Sequence, residues 1–368
     1  MNKIYNFNDI AEKFDLEGKL KKSDSHVCGH INDTFILQCE LENGEEIKYV
    51  LQRINSDIFK NPDELMDNIE KVTYHISKKV LEENGDPSRE TLNIVKTKDN
   101  MNYYKSEEGD YWRVFKFIYG ARTYQMVEKP EHLYTAGKTL GKFQKQLADF
   151  KVDSLFETIK DFHDTEKRYE AFLEAVEADR AGRLESVREE VDFVINRAED
   201  TKVLVNMIKA GELPLRVTHN DTKFNNIMID DETGEGVAVI DLDTVMPGLS
   251  LYDFGDSIRS GATTALEDET NLSKVNFDLN LYENYTKGFL ESVGDSLTEN
   301  EIAYLPFSAK LMTFECGMRF LMDHLNGDTY FKVHRENHNL DRARNQFKLV
   351  SDMESQMDLM KEVVNKYL

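Results

Sequence analysis

Between Val217 and Gly261 the chain carries three oxygen-bearing side chains in an order that suits phosphoryl transfer. His219-Asn-Asp221 is followed five residues later by Asn226, and Asp241 closes the apolar run Val237–Ile240. The first aspartate has the chemistry to accept a hydroxyl proton. The asparagine and the second aspartate are oxygen ligands of the kind that hold Mg²⁺ on a nucleotide, so ATP and Mg²⁺ are the expected donor and cofactor. The pattern predicts a short strand at Leu215–Val217, a loop from His219 to Asn225 and a strand over Asn226–Ile229. A turn at Asp230–Gly234 and a buried strand at Val237–Ile240 complete the segment. That hairpin would bring Asp221, Asn226 and Asp241 to one edge.

The elements that must position this hairpin fall into two groups. Before it, the chain reads as strand, strand, helix, strand, strand. Phe35, Leu37 and Cys39 alternate, as do Tyr49, Leu51 and Arg53, and Asn43-Gly44 between them is a hairpin signal. Asn61-Pro62-Asp-Glu64 starts a helix whose stripe is Leu65, Met66, Ile69, Val72, Ile76 and Val80. Strands follow at Asn93–Thr97 and Tyr111–Ile118. From there helical spacing dominates: Leu133–Phe150, Thr165–Ala181, Leu184–Lys209, Phe277–Val293, Glu299–Asn326 and Arg342–Leu368. The charged run Glu166–Glu199 reads as a solvated helical hairpin. The expected architecture is α+β: a small β-rich N-lobe over residues 1–117 and a larger helical C-lobe over 118–368.

Composition narrows the partners. Among 368 residues, Lys plus Arg is 46 and Asp plus Glu is 69, a net charge of −23 that repels nucleic acid and anionic membrane surfaces. It also repels free ATP, so a nucleotide site needs a metal and locally placed cations. No run of eighteen apolar residues is present to span a membrane. The charged start, Met1-Asn-Lys-Ile-Tyr-Asn-Phe-Asn, lacks an apolar signal core, and three scattered cysteines give no disulfide framework or zinc spacing. A cytoplasmic enzyme acting on small molecules is expected; oligomeric state is not readable.

For the nucleotide, Cys28-Gly29-His30-Ile-Asn-Asp33 precedes a strand and is the candidate phosphate loop. Gly29 is its only glycine, so the signal is weak by itself. On the third strand Arg53 is the better phosphate partner, with Gln52 on the other face as the alternative. Its helix partner is Glu64 or Glu70. Trp112, the single tryptophan, reads as core.

Several blocks together resemble the phosphotransferase family of aminoglycoside and choline kinases, which share the protein-kinase-like bilobal fold. They are Gly29–Phe35, Leu51–Asn55, Trp112-Arg113, Phe162–Thr165, His219–Lys223, Ile240–Gly248, Tyr252–Asp256 and Arg319-Phe-Leu, in order along nearly the whole chain. Within the family, the His219-Asn-Asp and Ile240–Gly248 blocks look most like the sugar kinases that phosphorylate the anomeric (C1) hydroxyl of N-acetylhexosamines such as GlcNAc and GalNAc. The resemblance implies Asp221 as base and acceptor contact, Asn226 and Asp241 on Mg²⁺, and Asp253 as a brace for the loop. It implies Arg319 as the main sugar contact, with His30, Asp33 and Tyr330 as further candidates, and favours a loop at Gly29 over both substrates. His163 reads as a helix-start contact. Two departures from protein kinases stand out. Asn220 replaces the arginine after the loop histidine, and Leu242-Asp243 replaces Phe-Gly. Asp243 is left between a metal or sugar contact and a structural role. The alternative acceptors on the same fold are choline, an aminoglycoside, homoserine or another sugar.

Overall fold

The structure is a computed structural model and describes residues 5–26 and 31–368. Helix α1 (Phe7–Ala11) leads into strands β1 (Lys19–His26), β2 (Asp33–Glu40) and β3 (Glu46–Ile54). Gly44, with φ +83°, makes the β2–β3 turn that Asn43-Gly44 promised. Helices α2 (Pro62–Glu82) and α3 (Pro87–Glu90) precede β4 (Ile94–Val95), β5 (Tyr104–Lys105) and β6 (Tyr111–Lys116). These strands form one antiparallel sheet in the order β1-β2-β3-β6-β4, with β5 also on β6. Its two faces differ. Leu37, Tyr49, Leu51, Trp112 and Val114 pack with α1 on one. Ile54 and Phe115 join α2 and the core of the helical lobe on the other.

The helical lobe opens with β7 (Ala121–Arg122) and α4 (Pro130–Gln146), then α5 (Thr165–Ala178), α6 (Arg188–Ile195) and α7 (Val203–Lys209). The span expected as one helix from Leu184 to Lys209 is broken by 3₁₀ turns at Leu184–Val187 and Ala198–Lys202. The second break coincides with a tertiary bond: Thr165 donates its hydroxyl to the Thr201 carbonyl at 2.5 Å. Strands β8 (Arg216–Thr218), β9 (Ile227–Asp230), β10 (Gly236–Val239) and β11 (Met246–Gly248) form small antiparallel pairings, β10-β9-β7 and β11-β8. Helices α8 (Ser250–Gly261), α9 (Leu279–Val293), α10 (Glu299–Asn326), α11 (His338–Ser355) and α12 (Met357–Lys366) complete the lobe. The last two had read as one helix from Arg342; the chain turns at Gln356 between them. The architecture is a small β-sheet lobe on a larger helical lobe. Among the described residues no helix is long and apolar enough to cross a membrane.

Candidate active site

The loop from His219 to Asn226 joins β8 to β9, and its shape is dictated by buried acceptors. Asp253, fully buried on α8, accepts the backbone N–H of His219 at 3.0 Å and of Asn220 at 2.7 Å. It also accepts the Gln144 amide at 2.8 Å. Burial holds the Asp253 carboxyl above its usual range, against the pull of these donors. Asn220 takes a left-handed conformation, φ +64°, which turns the chain so that Asp221 leaves the core. Its side chain is tied down on both ends. Thr218 Oγ1 donates to its Oδ1 at 3.0 Å, and its amide donates to the Thr244 carbonyl at 2.9 Å. Gly248 makes room for this: a Cβ there would lie 2.3 Å from Thr218 Oγ1 and 2.8 Å from Asn220 Oδ1.

His219 completes the loop with a fixed tautomer. Its Nδ1 accepts the Asp221 N–H at 3.2 Å, so Nε2 carries the proton it donates to the Ile240 carbonyl at 2.8 Å. Asn226 donates its amide to the Asp221 carbonyl at 2.8 Å, and Ile240 N–H donates to the Asn226 carbonyl at 2.9 Å. Those two bonds seat Asp221, Asn226 and the strand end at Asp241 in one frame. Asp241 is also left-handed, φ +60°, at the mouth of a 3₁₀ turn over Leu242–Thr244.

The electrostatics of the frame are uneven. Asp221 is 27% exposed and Lys223 Nζ stands 2.9 Å from its Oδ1. Burial opposes ionisation of Asp221, but Lys223 prevails and holds the carboxyl below its usual range. Asp241 is pushed up to about 6, first by burial and then by Asp243 and Asp221. A carboxylate raised by its own neighbours is a place where a cation gains. Asn226 Oδ1 and Asp241 supply two hard oxygens, which fits Mg²⁺, an ion that keeps waters and takes phosphate oxygens for the rest.

Asp243 is not free to face solvent. Arg113 Nη1 lies 2.5 Å from its Oδ1, and Asn32 donates to its Oδ2 at 2.5 Å. Asn32 in turn accepts the Asn55 N–H at 2.9 Å. Arg113 is further fixed by Gln52, whose Oε1 accepts its Nε at 3.0 Å and Nη2 at 2.8 Å. The arrangement around the third strand therefore differs from the expected one. Gln52 and Arg113 share the sheet face toward the helical lobe. Arg53 is on the opposite face beside Trp112, bonded to Asp33 at 2.6 Å and to Asp110 at 3.4 Å. Alternation along β3 makes this unavoidable once Gln52 points inward. Glu70 pairs with Lys96 and with Asn102, not with a β3 cation. Gly29 and His30 lie outside the described residues.

Arg319, expected to contact the acceptor, projects from α10 over the rings of Phe162, Tyr330 and Phe331, at 5.3, 5.9 and 5.7 Å. Its carboxylate neighbour is Glu315, 3.8 Å away, one turn back. Asp323, one turn on, instead collects the N–H groups of Thr329, Tyr330 and Phe331 at 2.9 Å each, fixing the segment that carries Tyr330. His163 is buried, with Nδ1 at 3.2 and 3.1 Å from the two Glu315 oxygens and Nε2 at 3.1 Å from the Asn220 carbonyl. Sequence reasoning missed Arg113, Lys223 and Glu315. Arg113 and Lys223 stand in blocks that carry the resemblance, at Trp112-Arg113 and His219–Lys223, but were given no role there.

A family model described as the phosphotransferase enzyme family matches residues 80–286. Three solved structures share the fold. An aminoglycoside phosphotransferase from Alicyclobacillus acidocaldarius has a TM-score of 0.64 at 13% identity, covering 100% of this chain and 98% of that one. A microcompartment-associated aminopropanol kinase gives 0.58 at 13%, covering 96% and 98%. An amicoumacin kinase in complex with AMP-PNP and Ca²⁺ gives 0.56 at 12%, covering 94% and 91%.

Proposed function

The chain belongs to the phosphotransferase enzyme family, and from that premise we propose that it transfers the γ-phosphoryl group of ATP to the anomeric hydroxyl of an N-acetylhexosamine. The products are the sugar 1-phosphate and ADP. The observation that carries the reading is the Asp221 carboxylate, held ionised by Lys223 and aimed out of a loop whose His219 and Asn220 N–H groups are gripped by buried Asp253.

Asp221 orients the hydroxyl and takes its proton as the oxygen bonds to the γ-phosphorus. The bond from that phosphorus to the β,γ-bridging oxygen breaks, and ADP leaves. Such a transfer is mostly positioning and charge neutralisation. Asn226 and Asp241 would hold Mg²⁺, which when bound offsets charge on the phosphates. Lys223 adds a local cation in a chain of net charge −23. The amicoumacin kinase complex, with its nucleotide analogue and divalent ion, supports the choice of ATP and metal.

Arg319 supports a neutral, hydroxyl-rich acceptor. Its guanidinium disfavours an ammonium group and can donate to sugar hydroxyls, and the aromatic rings of Phe162 and Tyr330 beside it suit a sugar face. The second reading is an amino-alcohol or aminoglycoside acceptor, favoured by the names of two structural neighbours and by the acidic surface. A coupled ADP assay over GlcNAc, GalNAc, choline, aminopropanol, homoserine and aminoglycosides separates them. Phosphorus NMR of the product then reports the position of transfer. Turnover of the amines with none on either sugar would sink the sugar reading. Asp221→Ala should remove acceptor-dependent ADP release from a folded protein; a variant keeping more than about a tenth of the rate would refute the base assignment, since general-base catalysis is worth roughly 10²–10⁴-fold.

A further inference from the structure

His163 sits between two groups that can only accept. Nδ1 faces the Glu315 carboxylate, and Nε2 faces the Asn220 carbonyl at 3.1 Å. A neutral imidazole has one N–H and can satisfy one of them. The ring is buried with Glu315 and Asn220, at 8%, 1% and 3% exposure, so water does not make up the difference. A neutral pair would require the shared proton to sit on Glu315. That residue has Arg319 at 3.8 Å and is near Arg168, and both guanidiniums favour its charged form. The groups around the ring are Glu315 and Arg319 from α10, the Tyr252 ring from α8 at 5.1 Å and Phe162 beside it at 4.5 Å.

We propose that His163 is a positioning residue, held as an imidazolium by Glu315, that clamps the Asn220 carbonyl and thereby sets the direction of the Asp221 carboxylate. The Asn220 carbonyl belongs to the peptide that leads into Asp221. Asp253 holds the N–H side of the same residue at 2.7 Å, so the turn at φ +64° is gripped from both ends by buried charge of opposite sign. The direction of the His163 shift, raised by Glu315 against the effect of burial, agrees with this state. The clamp also links the acceptor wall to the base, because Glu315 is the carboxylate on which Arg319 rests.

The inference rests on the proposed transfer for its kinetic arm only. ¹⁵N-histidine NMR of the wild-type protein reads the protonation state with no acceptor present, the His163 signal being identified by its loss in His163→Gln. Both ring nitrogens should remain protonated at neutral pH, and Glu315→Gln should release one proton. A ring that is neutral at pH 7 overturns the proposal, whatever the acceptor proves to be. In the kinetic arm, His163→Gln should lower kcat by about tenfold or more, in line with the cost of misplacing a reacting group, and leave both KM values within about twofold. An unchanged kcat in the folded variant overturns the clamp. If His163→Gln does not fold, Glu315→Gln identifies the signal by its shift and serves the kinetic arm on kcat alone, since Arg319 also rests on Glu315; an unchanged kcat in that folded variant overturns the clamp.

Discussion

Arg113 and Asp243 meet at 2.5 Å between the sheet lobe and the helical lobe, with their side chains 1% and 5% exposed. A pair this buried costs a great deal to break from one side, because the partner is left charged and unmatched. Arg113→Met should lower stability by about 3–5 kcal/mol. Arg113→Met with Asp243→Leu should recover a large part of that. Urea unfolding of the two variants checks it; equal loss in both would mean that packing, not the ion pair, sets the cost.

The same pair marks where the sequence was silent. Asp221, Asn226 and Asp241 lie on one local hairpin, so their spacing and turn chemistry reveal the constellation directly. Asp243 depends on Arg113 and Asn32, the latter 211 positions away, and His163 depends on Glu315, 152 positions away. The first set of contacts is a product of lobe docking and the second of packing within the helical lobe, and neither periodicity nor propensity encodes them. The third-strand cation failed for a related reason. Alternation correctly puts Gln52 and Arg53 on opposite faces, but only docking says which face meets the helical lobe. The bilobal outline itself was legible, since the strand and helix periods separate cleanly near residue 117. Helix breaks were not: the bond from Thr165 to Thr201 coincides with the turn at Ala198–Lys202, where helical spacing had continued.

Asp253 should be the most sensitive residue outside the reacting groups. Asp253→Ala strands two backbone N–H groups and the Gln144 amide in a site without exposure. Each orphaned donor costs about 1–3 kcal/mol. The expected result is a cooperative unfolding transition at markedly lower temperature, with kcat reduced even well below it. Calorimetry and initial rates on one preparation check both halves.

Stability should fall on the alkaline side through His163. Its folded pKa is raised, so its contribution is complete below the ordinary imidazole value and is lost as pH rises through the folded value. Glu315 is lowered, by His163 and Arg319 acting against burial, so its contribution is present above the ordinary carboxylate range and fades as pH falls through its folded value. The pair is therefore at full strength between those limits. Tm measured from pH 5 to 9 should decline above the ordinary imidazole range in the wild type, and Glu315→Gln should flatten that decline. Parallel curves for the two proteins would contradict the assignment.

Lys223 and Arg319 should separate in their kinetics because they act on different partners. Lys223 is 2.9 Å from Asp221 and would carry charge at the proposed point of transfer. Lys223→Met removes an interaction that gains as charge develops, so kcat should drop by about 10²-fold or more, comparable to the loss of one oxyanion donor, with both KM values little changed. Arg319 rests on three aromatic rings and Glu315. Arg319→Lys keeps the charge beside Glu315 but loses the flat guanidinium that lies over Phe162 and Tyr330. The acceptor KM should then rise about tenfold, roughly 1.4 kcal/mol, while the ATP KM stays fixed. Initial rates against each substrate in turn give the split. An Arg319→Lys enzyme whose ATP KM rises as much as its acceptor KM would remove Arg319 from the acceptor wall.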